Sequence, residues 1–122
     1  MGNSDYTAVM NIMQAYMTAT FEGDITGFKD IFHESIVMNG YLGDQLIVGN
    51  ADMFLAQMGD SPSLKSSGAP YKGQVSNVSI TNDVASATIL ESGFGDMSFI
   101  NYFNLVKING IWKITSKTFS TM

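Results

Sequence analysis

Residues 99–119, FINYFNLVKINGIWKITSKTF, alternate apolar and polar side chains on either side of Asn109-Gly110, the dipeptide that most readily supplies the two positive-φ positions of a type I′ turn. The stretch therefore predicts a β-hairpin. A two-residue turn sets its register, with Leu105 opposite Ile114, Lys107 opposite Trp112 and Phe103 opposite Ser116. One face then carries Phe99, Asn101, Phe103, Leu105, Trp112, Ile114 and Ser116, and the other Ile100, Tyr102, Val106, Ile108, Lys113 and Lys117. Both faces are partly apolar. If the first lines a cavity, Asn101 and Ser116 become sparse polar groups among aromatics, the usual composition of a small-molecule pocket. Ile100, Tyr102, Val106 and Phe119 then need cover, which a homodimer through the outer face would provide. The two faces can also be exchanged, and the aromatic stripe can equally be plain core.

Upstream of the hairpin, Tyr6, Val9, Met10, Met13, Tyr16, Met17 and Thr20 recur at helical spacing from a cap at Ser4 or Asp5. Gly23 closes that helix, and Asp24 caps a second one carrying Ile25, Phe28, Ile31 and Phe32 and ending near His33. Residues 36–38 and 46–48 read as short strands around the glycine-bracketed turn 40–44. Asn50 caps a short helix through Met58 that presents Met53 and Phe54. Residues 59–72 hold both prolines and form the longest loop, either a lid over a site or a surface excursion. Residues 73–81 and 84–92 are strands across Asn82-Asp83, with Val78, Ile80, Ala85, Ala87 and Ile89 on one face. Helices first and long antiparallel strands afterwards make an α+β layout, in one domain over 1–122.

Of the 122 residues, 45% are hydrophobic and 14% charged. A core of ordinary size is within reach, and so few charges leave part of the surface neutral, as a self-association face would be. All six basic residues are lysines, which removes the side chain best suited to bidentate phosphate or carboxylate recognition. Residues 1–96 hold all eleven acids against Lys29, Lys65 and Lys72, whereas 97–122 hold only Lys107, Lys113 and Lys117. Three lysines on a chain of net charge −5 do not make a nucleic-acid surface. With no cysteine there is neither a disulfide nor a thiolate metal site. No window approaches a membrane span, and residues 1–5 lack a basic region followed by an apolar run, so a cytoplasmic location is expected. No phosphate loop, dinucleotide fingerprint or paired nucleophile and base is present, and no cofactor is expected.

A sheet wrapping a long helix leaves a conical cavity between them, and the chain resembles the NTF2-like superfamily built that way. Within it the closest resemblance is to the putative lumazine-binding family. Tyr16 followed by Gly23-Asp24 carries it, then Ile31-Phe32-His33, then Gly40-Tyr41-Leu42-Gly43. The pattern Phe99, Asn101, Leu105-Val106-Lys107, Asn109-Gly110, Trp112-Lys113-Ile114 and Lys117 completes it. The resemblance implies an α+β cone of the ketosteroid-isomerase-like type and, loosely, a pteridine-like ligand. Members often place Asp where this chain has Asn101, so no carboxylate role passes to that position.

Tyr16 matches the tyrosine that, in ketosteroid isomerases, stands at the same distance before a Gly-Asp and donates to a developing oxyanion. The position of those enzymes' catalytic aspartate falls on Gly40, beside Asn39, and neither accepts a proton at neutral pH. A catalytic reading, of isomerase, cyclase or dehydratase type, therefore turns on Tyr16 as donor and His33, the only histidine, as base. The structural alternative has His33 bonding the carbonyls at the end of the second helix. One histidine beside Glu34 offers no second metal ligand, so no metal site is expected. The expected ligand contacts are Tyr16, Met13, Met38, Met53, Phe99, Asn101, Phe103, Trp112 and Ser116, the methionines as adaptable walls. Glu91, on an otherwise apolar strand face, reads either as an isolated buried acid with a raised pKa or, in preference, as exposed at a strand end.

Overall fold

The computed structural model describes residues 2–122. Its elements are α1 (Gly2–Glu22), α2 (Ile25–Ile31), β1 (Phe32–Leu42), β2 (Gln45–Gly49), α3 (Asp52–Asp60), β3 (Lys72–Thr81), β4 (Val84–Phe94), β5 (Met97–Ile108) and β6 (Ile111–Thr121). Met1, the first residue of the segment in which no leader is expected, lies outside the described residues. The strands form one sheet in the order β2-β1-β6-β5-β4-β3. Only β1 and β6 pair in parallel; every other neighbouring pair is antiparallel. Among the described residues no helix is long and apolar enough to cross a membrane.

The α1 helix begins before the expected cap and buries Val9, Met13, Tyr16 and Thr20, residues three or four apart along one face, against the sheet. Asp5 sits inside the helix instead of capping it. Its carboxylate accepts from Lys107 Nζ at 2.9 Å and Trp112 Nε1 at 3.2 Å, which ties the start of α1 to the tip of the hairpin. Those two donors, Lys107 foremost, hold its carboxyl below the usual range. Gly23 closes α1 at φ +67°, and Asp24 Oδ1 accepts from the Gly27 N–H at 3.0 Å, so the boundary with α2 falls where the sequence put it.

The α2 helix stops at Ile31, short of the expected end, because Phe32 is already extended and opens an eleven-residue β1. The polar run His33-Glu34-Ser35 hides this strand in the sequence. It lies where the β1–β6 pairing shifts between Phe32 and Val37, and Glu34 and Ser35 face solvent.

In the hairpin, Asn109 and Gly110 take φ +52° and +80°, as a type I′ turn requires, and Leu105 faces Ile114 and Lys107 faces Trp112 as expected. Beyond that the register departs from the expectation. Asn104 pairs with Ser116 and Leu105 with Ile114, leaving Thr115 as an extra residue on β6, and Phe103 faces Lys117 instead of Ser116. Side chains fasten this bulge: Thr115 Oγ1 donates to the Asn104 carbonyl at 3.2 Å, and Asn104 Nδ2 donates to Ser116 Oγ at 2.9 Å. One inserted residue reverses the in–out parity of everything after it. Ser116 therefore leaves the inner face, while Lys117 and Phe119 enter it.

Three successive paired rows of the outer face are uncharged across four strands, and the row beyond them toward the hairpin turn carries Lys113 opposite Val106. The uncharged rows read Tyr41, Ser120, Ile100 and Leu90; Asn39, Thr118, Tyr102 and Thr88; and Val37, Ser116, Asn104 and Ser86. Tyr41, Val37 and Tyr102 are each about half exposed there.

Candidate functional site

Between α1, α3 and the inner face of the sheet lies a cavity of about 450 Å³. Most of its wall is apolar. Met38 of β1, Phe54 and Met58 of α3, Phe99 of β5 and Phe119 of β6 contribute, and residues 61–64 of the long loop close one side. That loop is anchored by the Lys65 N–H, which donates to the Phe21 carbonyl at 2.9 Å near the end of α1. It is thus a wall of the cavity, held to the helix.

Tyr16, Thr20, Glu91, Asn101 and Lys117 contribute polar groups to the lining, as do Asn50, Gln57, Ser61 and Ser63 on the side of α3 and the long loop. Glu91 is 4% exposed, which corrects the expected strand-end position. The pleat of β4 turns it inward in the same series as Ala85, Ala87 and Ile89. Its two oxygens accept from the Tyr71 hydroxyl at 2.5 Å and from Asn101 Nδ2 at 2.6 Å. Asn101 Nδ2 also lies 3.4 Å from the Ile89 carbonyl. A buried carboxylate is sustained by such donors. Burial, and after it the Glu91 charge, pushes the Tyr71 phenol well above its ordinary pKa, so that it remains a donor.

Tyr16 is buried within a cluster of rings. Phe103 lies edge-on at 4.8 Å between centroids and Phe28 at 5.5 Å, while Phe54 is stacked at 6.4 Å. Burial, followed by the charge of Glu91, raises its phenol pKa well above the ordinary value. Its hydroxyl is accordingly a neutral donor at any physiological pH.

Lys117 is 6% exposed and lines the cavity. Its Nζ sits over the rings of Phe54 at 4.1 Å, Phe119 at 5.1 Å and Tyr16 at 5.3 Å. Burial lowers its pKa to about 8, against the opposing pull of Glu91.

Five of the expected contacts, Tyr16, Met38, Met53, Phe99 and Asn101, meet at this cavity. Met13, Phe103 and Trp112 do not: they lie in the core. Phe103 is covered by Tyr16, and Trp112 is drawn to the hairpin tip by its bond to Asp5. Ser116 is on the outer face because of the bulge. His33 also lies away from the cavity lining. It belongs to β1 and not to a helix end, and its Nδ1 accepts from the Ser35 N–H at 3.0 Å, so it neither bonds helix-end carbonyls nor meets Tyr16. At Gly40 an added Cβ would stand 2.1 Å from the Phe119 carbonyl oxygen, so the place of an isomerase base admits no side chain at all.

Sequence reasoning missed Lys117 and Phe119 as lining residues. The available signal was Phe119 itself: strict alternation left a bulky aromatic pointing outward three residues from the chain end. Among the described residues no three His, Cys, Asp or Glu side chains gather where they could hold a metal ion.

Comparison with known proteins gives a consistent picture. The model of the family described as putative lumazine-binding matches residues 4–120. An NTF2-like protein of unknown function from Silicibacter pomeroyi superposes with a TM-score of 0.89 at 20% identity, covering 100% of this chain and 99% of that one. One from Shewanella baltica gives 0.88 at 22% identity, covering 100% and 97%. A cystatin-like fold protein from Burkholderia xenovorans gives 0.72 at 18% identity, covering 95% and 90%. No match was found among curated proteins.

Proposed function

Because the chain belongs to the putative lumazine-binding family of NTF2-like cones, we propose that its cavity is a receptor for one small, flat, mostly apolar molecule. The observation that carries this reading is the cavity itself, about 450 Å³ with an aromatic and methionine-rich wall and polar groups gathered at Tyr16, Asn101 and Lys117. That volume and composition match small-molecule sites in general. A receptor is favoured over a proton-transfer catalyst because Gly40 offers no base, His33 does not line the cavity with Tyr16, and both oxygens of Glu91 already accept hydrogen bonds.

Thermal denaturation against a panel of flat heterocycles, pteridines and flavins included, tests the reading. A ligand present at about a hundred times its Kd stabilises by about 2.7 kcal/mol, a shift of several degrees. A panel in which no compound moves the melting temperature overturns the receptor assignment.

The partner reading is a homodimer through the outer sheet face. Support comes from the twelve uncharged residues of the three paired rows, which a chain of net charge −5 can bring against a second copy without charge repulsion. Tyr102→Glu at the middle of that face is expected to convert the dimer to monomer in analytical ultracentrifugation at micromolar concentration. A wild-type protein that sediments as a monomer there refutes the dimer.

A further inference from the structure

A lysine buried in a folded protein ordinarily has an acid beside it, since an ammonium taken out of water keeps three donors that need acceptors. Lys117 has none. No hydrogen bond or ion pair reaches its Nζ from any described residue, and the nearby acid, Glu91, has its two oxygens committed to Tyr71 and Asn101. What surrounds the ammonium is three aromatic faces and the cavity. Ring faces return about 0.5–2 kcal/mol to a cation, and the ammonium itself stays open to the cavity, since among the described residues no fully buried side-chain nitrogen or oxygen lacks a partner. The bulge at Thr115 is what turns the side chain inward, and the hydrogen bonds of Asn104, Thr115 and Ser116 lock it there. An unpartnered cation held at the wall of an apolar cavity is half of an ion pair.

We propose that the molecule bound in the cone carries a single anionic oxygen group, a carboxylate or a ring enolate, that pairs with the Lys117 ammonium while its flat apolar body lies against Phe54, Phe99 and Phe119. This rests on the receptor reading and adds the charge of the ligand. Tyr16, whose hydroxyl stays protonated, is a second donor lining the same cavity. The mainly apolar wall strengthens a charge-assisted hydrogen bond made to Lys117. The titratable groups of the lining are Tyr16 from α1, Glu91 from β4 and Lys117 itself from β6, with Tyr71 behind Glu91; the lining residues on β1, β5 and α3 carry none. The amine, at about 8, is mostly charged at pH 7 and mostly neutral at pH 9.5.

The test uses matched probes that differ only in charge, benzoate against benzamide and 2-naphthoate against 2-naphthamide, titrated by thermal shift and calorimetry into wild type and Lys117→Met. In wild type at pH 7 an acid is expected to bind at least about tenfold more tightly than its amide. Lys117→Met is expected to abolish that preference while still binding the amide, and raising the pH to 9.5 is expected to erode it in wild type with the amide unchanged. An amide that binds wild type as tightly as its acid overturns the inference and leaves the receptor reading standing. A preference that survives in Lys117→Met does the same. If neither member of either pair binds to either protein, and the wider panel is silent, both fail together.

Discussion

Lys117→Met is expected to raise the stability of the ligand-free protein by about 1–3 kcal/mol at pH 7, read as a melting temperature several degrees higher. Methionine keeps the length and flexibility of the stem against Phe54 and Phe119 and removes a charge that burial disfavours. The expected pH dependence has a definite sign. The folded amine sits at about 8 and the unfolded one at about 10.5, so between those values the unfolded chain binds more protons. The burden of the charge is present in full below about pH 8, and wild type gains stability as pH rises from about 8 toward 10. Tyr16 and Tyr71 then act the opposite way: their folded phenols are raised, so unfolded phenols that ionise above about pH 10 draw the protein toward unfolding. Wild type is expected to show a maximum near pH 10, and Lys117→Met to lack the rise leading to it. Urea melts of both proteins from pH 6 to 11 measure this. A variant less stable than wild type at pH 7 would mean that the ring faces compensate the ammonium fully and that the cavity does not hold half an ion pair.

The second large effect falls on Gly40. Gly40→Ala is expected to cost about 3 kcal/mol or more, the upper end of overpacking, with a collapse in soluble yield or a melting temperature lowered by ten degrees or more. The added methyl group would lie 2.1 Å from the carbonyl oxygen of Phe119 and 2.8 Å from its Cγ. Neither atom can give way cheaply. The carbonyl belongs to the strand paired in parallel with β1 at this residue, and the ring is part of the cavity wall. Gly40→Asp, the substitution that would place a carboxylate at the isomerase base position, is expected to fail for the same reason. An Ala variant with unchanged denaturation would mean that β1 and β6 separate more easily here than their pairing implies.

Much of the architecture was legible because short-range physics governs it. Asn109-Gly110 dictates its turn through backbone sterics, Asp24 and Gly23 define a helix boundary through hydrogen bonding and a positive φ, and the spacing of Val9, Met13, Tyr16 and Thr20 can bury only one helix face. Each is a preference of a few neighbouring residues. The β1 strand was harder to see, since Glu34 and Ser35 face solvent while the strand continues through them to pair with a partner some eighty residues later. Within the candidate site, Tyr16 and Asn101 could be found because a polar group on an otherwise apolar face is conspicuous. Glu91 was conspicuous for the same reason, but its burial depends on Tyr71 and Asn101 arriving from a loop and from the next strand to supply two donors.

Lys117 marks the dividing line. The sequence alone determined the hairpin, its turn, the register of its first four residues on either side, and the α+β layout that the alternation and helical periodicity require, while the cone was implied by the family resemblance. Whether Lys117 faced solvent or the cavity was decided only in three dimensions, by one unpaired residue. Thr115 drops out of the ladder where its hydroxyl can satisfy the Asn104 carbonyl and where Asn104 can reach Ser116 across the strands. A strand has a period of two, so that single slip exchanges inside for outside in all that follows, and it gave the cavity both its cation and the ring of Phe119.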